Sequence, residues 1–264
     1  MGPTGVGKTD LAMDLYEQIP IEIISVDSVQ IYKKLDIGSG KPSKEVLKAF
    51  PHEMIDILEC SESYSTAKFQ TDCLACIKKA FDANKIPVLV GGSMMYFHHL
   101  VNGLSRLPSV SDEIRYKVQK EFEEKGSKEM HQYLKEIDID ASLKIHENDS
   151  QRIKRAIEVF KETGKQFSQW QVEQKREIDK LISSSNLQQI AIKPTDKEIH
   201  REVVGKRFKD MIEKGLIEEV EKILDHKNIS RNSQSMKSVG YRQVCDFLEG
   251  DIDPVSYTHL RAHE

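Results

Sequence analysis

Gly2-Pro3-Thr4-Gly5-Val6-Gly7-Lys8-Thr9 is a complete G-x-x-x-x-G-K-[ST] run, and Leu11, Ala12, Leu15, Tyr16 and Ile19 follow it at helical spacing. The pattern predicts a phosphate-binding loop, or P-loop, that opens into a helix. Glycines let the backbone turn its N–H groups inward, the helix N-terminus adds partial positive charge, and Lys8 supplies a mobile cation. All eight residues are therefore candidates for holding a di- or triphosphate, with the Thr9 hydroxyl as the candidate Mg2+ ligand. Such a loop is the usual mark of nucleotide-binding, and above all ATP-binding, proteins, yet its amides recognise the anion and not the base. A P-loop normally follows a buried strand, and only Met1 precedes this one, so a chain that enters late is expected.

Next along the chain, Ile21-Glu22-Ile23-Ile24-Ser25-Val26 is a short β-branched run that ends in Asp27-Ser28. It predicts a buried parallel strand with a carboxylate at its C-terminal edge, where open α/β sheets bind ligands. Asp27 in that place suits a cap on the following turn or a Walker-B-like ligand of Mg2+. Ile86-Pro87-Val88-Leu89-Val90-Gly91-Gly92-Ser93 again reads as strand then glycine turn, and a fourth strand is expected over Leu187 to Ile192. Phe69, Cys73, Cys76, Ile77, Ala80 and Phe81 mark a helix. Its C-x-x-C is read as two buried thiols, because no second Cys or His pair follows at zinc-finger distance.

From about 108 to 185 the pattern turns helical, with Ile114, Val118 and Phe122, then Ile153, Ile157 and Phe160. After Pro194 two more amphipathic helices are expected, Glu198 to His226 and Tyr241 to Leu248, joined by a Ser/Asn-rich stretch. The fold class is thus α/β. A P-loop NTPase-like parallel-sheet core is expected from residues 1–107 and 186–264, with a helical insertion over 108–185.

Net charge is −4, from 39 Lys and Arg against 43 Asp and Glu, which excludes a chain that is basic all over but leaves room for a basic stripe. Four cysteines, Cys60, Cys73, Cys76 and Cys245, are too few and scattered for a disulfide framework. No apolar run approaches the ~18 residues of a membrane span, and no signal-peptide pattern opens the chain. A cytoplasmic protein without a membrane partner is expected.

The P-loop stands in a longer ordered series: Ser25-Val26-Asp27-Ser28 with Gln30 and Tyr32, Asp36-Ile37-Gly38 before Lys41-Pro42, Pro51-His52, Val90-Gly91-Gly92-Ser93 with Tyr96, and Gly240-Tyr241-Arg242. Ile145-His146, Asn148-Asp149, Gln151-Arg152, Arg155-Ala156, Glu158, Arg207, Gly215-Leu216 and Glu218-Glu219-Val220 extend it. The set resembles the tRNA dimethylallyltransferases, also called tRNA isopentenyltransferases, over nearly the whole chain from Gly2 to about Gly250. With no zinc-finger pattern near the end, the bacterial branch is the better likeness.

That resemblance implies transfer of a dimethylallyl group from dimethylallyl diphosphate to N6 of adenosine 37 in the tRNA anticodon loop, with diphosphate released. The P-loop would then cradle the prenyl donor, Asp27 would be the base, and Lys8, Arg207 and Mg2+ on Thr9 would steady the leaving group. The implied tRNA contacts are Asp27, Ser28, Val29 and Gln30; Ser93, where the family usually has Thr; and Arg115. Two longer segments complete them: Gln151, Arg152, Ile153, Lys154 and Arg155, then Lys237, Ser238, Val239, Gly240, Tyr241 and Arg242. No protein partner is implied, and a monomer is expected. Glu147 departs from the family's Pro, and Val255 to Glu264 match nothing in it. These last ten or so residues are expected to be foreign, from a vector, an adaptor or a chimeric read.

Other readings stay open at this level. Arg152 and Arg155 also fit the solvated face of a helix that buries Ile153 and Ile157. A small-molecule kinase would use the same P-loop and treat Ile23 to Asp27 as its Mg2+-binding strand. An adenylate isopentenyltransferase would prenylate free AMP, ADP or ATP with the same loop and carboxylate. A non-enzymatic nucleic-acid-binding module has no need of Lys8 with Asp27.

Overall fold

The computed structural model describes residues 1–102, 108, 110–170 and 187–250. The chain forms two compact units, one from Met1–Phe97 together with the stretch from Gln188 on, the other from His98–Leu187. The expectation for Val255 to Glu264 lies outside the described residues.

The first unit is built on a parallel sheet of β1 (Ile21–Val26), β2 (His52–Glu53) and β3 (Ile86–Gly91), in the order β2-β1-β3. β1 is central, and five of its six residues are buried, which is why it reads as a continuous β-branched run rather than an alternating one. Its register with β3 runs from Ile21↔Ile86 to Val26↔Gly91, so both strands end level. Asp27 and Ser93 therefore leave neighbouring strand ends. Helix α1 (Lys8–Gln18) covers one face, where Ala12, Leu15 and Tyr16 pack with Ile21, Ile23, Val88 and Val90. Helix α2 (Lys44–Ala49) precedes β2, and α3 (Thr66–Asp82) makes the crossover to β3, capped by the Ser65 hydroxyl accepting from the Lys68 N–H. Ile24 has no exposed surface. Ile24→Val is expected to cost about 1 kcal/mol of stability, the usual effect of one buried methylene, read as a lower urea midpoint at unchanged slope.

Two sequence expectations are corrected here. Residues 187–192 are not a strand. Among the described residues their backbone partner is Met1: the Met1 ammonium donates to the Ile190 carbonyl at 2.8 Å, and the Ile192 N–H donates to the Met1 carbonyl at 2.9 Å. A ladder needs several consecutive partners. The single helix expected over Glu198 to His226 is two, because Gly215 sits at φ 96° and turns the chain; a left-handed residue ends a helix. Numbered after α4 (Met94–Asn102) and the helices of the second unit given below, these two are α8 (Lys197–Glu213) and α9 (Leu216–Leu224), followed by α10 (Tyr241–Leu248).

The second unit is helical. It holds α5 (Asp112–Ile137), interrupted at Gly126, with α6 (Ile139–Ser142) and α7 (Ser150–Thr163). Val118, Met130, Leu134, Ala141, Ile145, Ile153, Ala156 and Ile157 form its core, with Ile114, Phe122 and Phe167 against it. Asp149 caps α7 by accepting from the Arg152 N–H at 3.1 Å. Buried Asp138 joins two segments, one oxygen taking the Ala141 N–H and the other the Ser168 N–H at 2.8 Å.

Candidate active site

Gly5 (φ 84°) and Gly7 (φ 80°) both take the left-handed backbone that only glycine adopts without strain. Gly7 is also the N-cap of α1, so the loop turns directly into the positive end of a helix dipole. Pro3, Thr4, Gly5 and Gly7 are exposed, whereas Gly2, Val6, Lys8 and Thr9 are half-buried. Lys8 folds back over its own loop, its Nζ donating to the Pro3 carbonyl at 2.5 Å. Burial pushes the Lys8 pKa below the ordinary lysine value; the Asp27 carboxylate opposes that shift and the Arg207 guanidinium adds to it. Two charges of opposite sign thus act on Lys8.

Asp27 ends β1 and divides its work between its two oxygens. Oδ1 accepts from the Val29 N–H at 2.8 Å and the Gln30 N–H at 3.2 Å, holding the turn that follows the strand. Among the described residues Oδ2 accepts no hydrogen bond. Cap and base are therefore compatible roles for one side chain. Ser93 Oγ accepts from the Ser28 N–H at 3.0 Å and lies 3.4 Å from Ser28 Oγ, tying the β3 turn to the β1 turn. Buried Tyr96 stacks on Phe69 at 4.0 Å. Burial, and then the charge of Asp27, push its phenol up to about 12.

Arg207 comes from α8, where its guanidinium donates to the Gly40 carbonyl at 3.4 Å. Two turns earlier on the same helix, His200 Nε2 lies 2.8 Å from the Thr4 carbonyl, so that nitrogen carries the proton. A side chain at Gly5 would meet Val203 and Val204. One helix thus touches the tip of the P-loop and, seven residues on, presents Arg207. Sequence reasoning missed His200, although its spacing from Arg207 is the signal that puts both on one helix face. It also missed a cavity of about 770 Å³ that Arg207 lines together with Lys33, Lys34, Lys44 and Lys214. In the same wall Lys41, its side chain 3% exposed, is held by Asp36 and Asp56 at 2.6 Å each.

The expected RNA contacts fall into separate groups. In the first unit Lys237, Val239 and Arg242 are exposed and Ser238 is half-buried, whereas Gly240 and Tyr241 are buried. Lys237 and Arg242 line a smaller cavity of about 270 Å³ with Arg231. The Tyr241 hydroxyl donates to Glu219 at 2.6 Å; burial and that carboxylate raise its pKa far above the usual tyrosine value. In the helical unit Gln151 is exposed, and Arg115 and Arg152 are exposed beside Asp112 and Asp149 at 3.5 and 3.4 Å. Lys154 bonds Gln119 at 2.9 Å, and Arg155 lies 3.6 Å from Glu158. Ile153 is fully buried, so its side chain serves the core of this unit and leaves the polar neighbours to face solvent.

Among the described residues no group of three or more His, Cys, Asp or Glu side chains is placed to hold a metal ion. A single hydroxyl, that of half-buried Thr9 in the first turn of α1, nevertheless fits Mg2+, which takes few protein ligands and is held mainly by phosphate oxygens and water. Cys73 is buried, its thiol pushed up to about 12 by burial, and Cys76 is half-buried. Among the described residues no helix is long and apolar enough to cross a membrane.

Parallel strands ending beside a phosphate loop place this chain among the P-loop-like α/β proteins. A sequence model described as IPP transferase matches residues 30–262, and the chain belongs to the IPP transferase family. The match begins after the P-loop and Asp27. The tRNA dimethylallyltransferase 2 of Hahella chejuensis (strain KCTC 2396) is 40% identical over 261 residues, which is 96% of this chain and 79% of that protein. The crystal structure of the full-length tRNA isopentenylpyrophosphate transferase of Bacillus halodurans has a TM-score of 0.67 at 29% identity, over 99% of this chain and 80% of that one. The corresponding transferase of Staphylococcus epidermidis has a TM-score of 0.66 at 27% identity, over 100% and 84%.

Proposed function

We propose that the protein is a tRNA dimethylallyltransferase, moving the dimethylallyl group of dimethylallyl diphosphate to N6 of adenosine 37 in tRNA and releasing diphosphate, in the cytoplasm and as a monomer. The observation that carries this is a P-loop whose Lys8, folded onto the Pro3 carbonyl, feels the charges of Asp27 at the end of β1 and of Arg207 on α8. An anion binder and a carboxylate base at one site suit a transfer in which an anion departs as a proton is taken.

The loop amides and Lys8 hold the donor diphosphate, with Arg207 as a second cation. Thr9 is the residue that would hold Mg2+, which when bound supplies further neutralisation of the departing charge. The adenine N6 attacks the allylic carbon as its C–O bond breaks. The bonding pair leaves with the diphosphate, and the N6 proton passes to Oδ2 of Asp27, the oxygen not engaged in the turn. Charge that develops on the diphosphate is met by donors already in place, which is where such a site gains most.

An amino group inside a duplex is out of reach, so the reacting base must come from a loop and be flipped into the site. Ser28, Val29 and Gln30 belong to the turn that Asp27 holds and Ser93 is tied to it, which makes them the residues to meet such a base. Lys237 and Arg242 in the first unit, and Arg115 and Arg152 in the helical unit, supply exposed cations for tRNA phosphates, and Lys154 of the helical unit is half-buried. Lys237→Ala and Arg242→Ala are each expected to weaken anticodon stem-loop binding for all sequences alike and to lower the slope of log K against log salt by about 1. An unchanged slope would remove that residue from the phosphate contacts.

The test of the function is transfer of labelled dimethylallyl diphosphate, run in parallel with anticodon stem-loop RNA and with AMP. Label in the RNA supports the reading. Label in AMP alone makes the protein an adenylate isopentenyltransferase, and ATP consumption without the prenyl donor makes it a kinase.

A further inference from the structure

Residues Asp36 to Ser39 turn four consecutive N–H groups toward two side chains from far along the chain. Glu219, on α9, accepts from the Asp36 N–H at 3.1 Å and the Ile37 N–H at 2.8 Å through Oε2, and from the Gly38 N–H at 3.3 Å through Oε1. The Ser39 N–H donates to the Tyr241 hydroxyl at 3.2 Å, and that hydroxyl donates to Glu219 Oε1 at 2.6 Å. Successive N–H groups of this kind form an anion-binding concavity; here the anion is a protein carboxylate. Gly38 makes the approach possible, since a Cβ there would lie 2.6 Å from the Tyr241 ring and 2.7 Å from Leu216. Charge-assisted bonds are the stronger kind, and this set is part-buried, with the Tyr241 ring buried beneath it.

The clamped loop holds the candidate site on its other side. Gln30 Nε2 donates to the Ser39 and Gly40 carbonyls at 3.5 Å each, and Arg207 donates to the same Gly40 carbonyl at 3.4 Å. Gln30 also gives its backbone N–H to Asp27 Oδ1. Residues 39–40 are thus a shared seat for the turn that carries the carboxylate and for the arginine whose charge acts on Lys8.

We infer that Glu219 and Tyr241 are positioning residues for the transfer site: by clamping residues 36–39 they set the Gly40 carbonyl that orients Arg207 and Gln30. The inference rests on the proposed role of Arg207 toward diphosphate. Neither side chain touches substrate in this account, and both act through the loop.

The experiment measures binding of inorganic pyrophosphate with Mg2+ to the full chain by calorimetry, for Glu219→Gln and Tyr241→Phe in the native and the Arg207→Ala backgrounds. Each variant is expected to weaken pyrophosphate about 3- to 10-fold in the native background and to add nothing once Arg207 is gone, as for residues that act as a unit. A structural role alone predicts the same weakening in both backgrounds, and that result, or no weakening in either, overturns the inference. Tyr241→Phe keeps the packed ring and loses only the hydroxyl, so it carries the test if Glu219→Gln fails to fold. Transfer from labelled dimethylallyl diphosphate is measured on the same native protein. Absence of transfer with the non-additivity intact counts against the proposed function and leaves the clamp standing; transfer with additive losses does the reverse.

Discussion

Asp27→Asn is expected to lower prenyl transfer by about 100- to 10,000-fold, the range that a positioned general base contributes, and to leave pyrophosphate affinity unchanged. Asparagine keeps an oxygen where Oδ1 accepts from Val29 and Gln30, so the turn stays closed. What it removes is the anionic Oδ2, which none of the described residues engages. Asp27→Ala is a blunter probe, because it releases the turn and the base together. Single-turnover transfer to stem-loop RNA separates the two effects: a loss confined to the alanine variant would assign Asp27 to the turn alone.

Replacing Lys8 by Ala is expected to slow transfer about 100- to 1,000-fold, as loss of a preorganised donor to developing charge does, and to weaken pyrophosphate as well. Its titration gives a second handle. Burial and Arg207 hold the Lys8 pKa below that of a free lysine despite Asp27, and only the protonated amine attracts diphosphate. As pH rises through that lowered pKa the cation is lost, so kcat/KM for the donor should fall at a lower pH than an ordinary lysine would dictate. Lys8→Arg is not a rescue, since a planar fork does not reproduce a compact ammonium folded onto the Pro3 carbonyl. A native profile flat well into the alkaline range would dissociate Lys8 from donor binding.

Local features were legible in the chain. The P-loop with α1, the β-branched β1, the α3 crossover and β3 with its glycine turn all declare themselves in fewer than twenty consecutive residues, through period and through glycine. Asp27 was marked as a candidate by the same rule, a polar residue at the end of a buried strand. Features that depend on distant partners were not legible. Residues 187–192 carry a strand's composition, yet a strand is defined by its neighbours, and Met1 is too little of one. Glu219 reads as one acid among several on an amphipathic helix; only the fold brings it to Asp36–Ser39, about 180 positions away. Tyr241, read as an RNA contact, is buried on that same carboxylate, a fate its place in an exposed basic segment concealed. β2, two residues long, offers no period to detect at all.

The discontinuity of the first unit has a kinetic consequence. α5 and α7 of the helical unit lie close in sequence, so their loop closes at small entropic cost and their contacts can form early. The phosphate site instead draws on residues 2–9, 27, 93 and 207, and the chain's first residue is tied to Ile190 and Ile192, 189 positions along in the nearer case. A nascent polypeptide emerging from the ribosome would therefore carry a folded helical unit while its P-loop still waits for α8. Diphosphate binding becomes a late event of synthesis, and ligand added during refolding would capture the last step rather than guide the first.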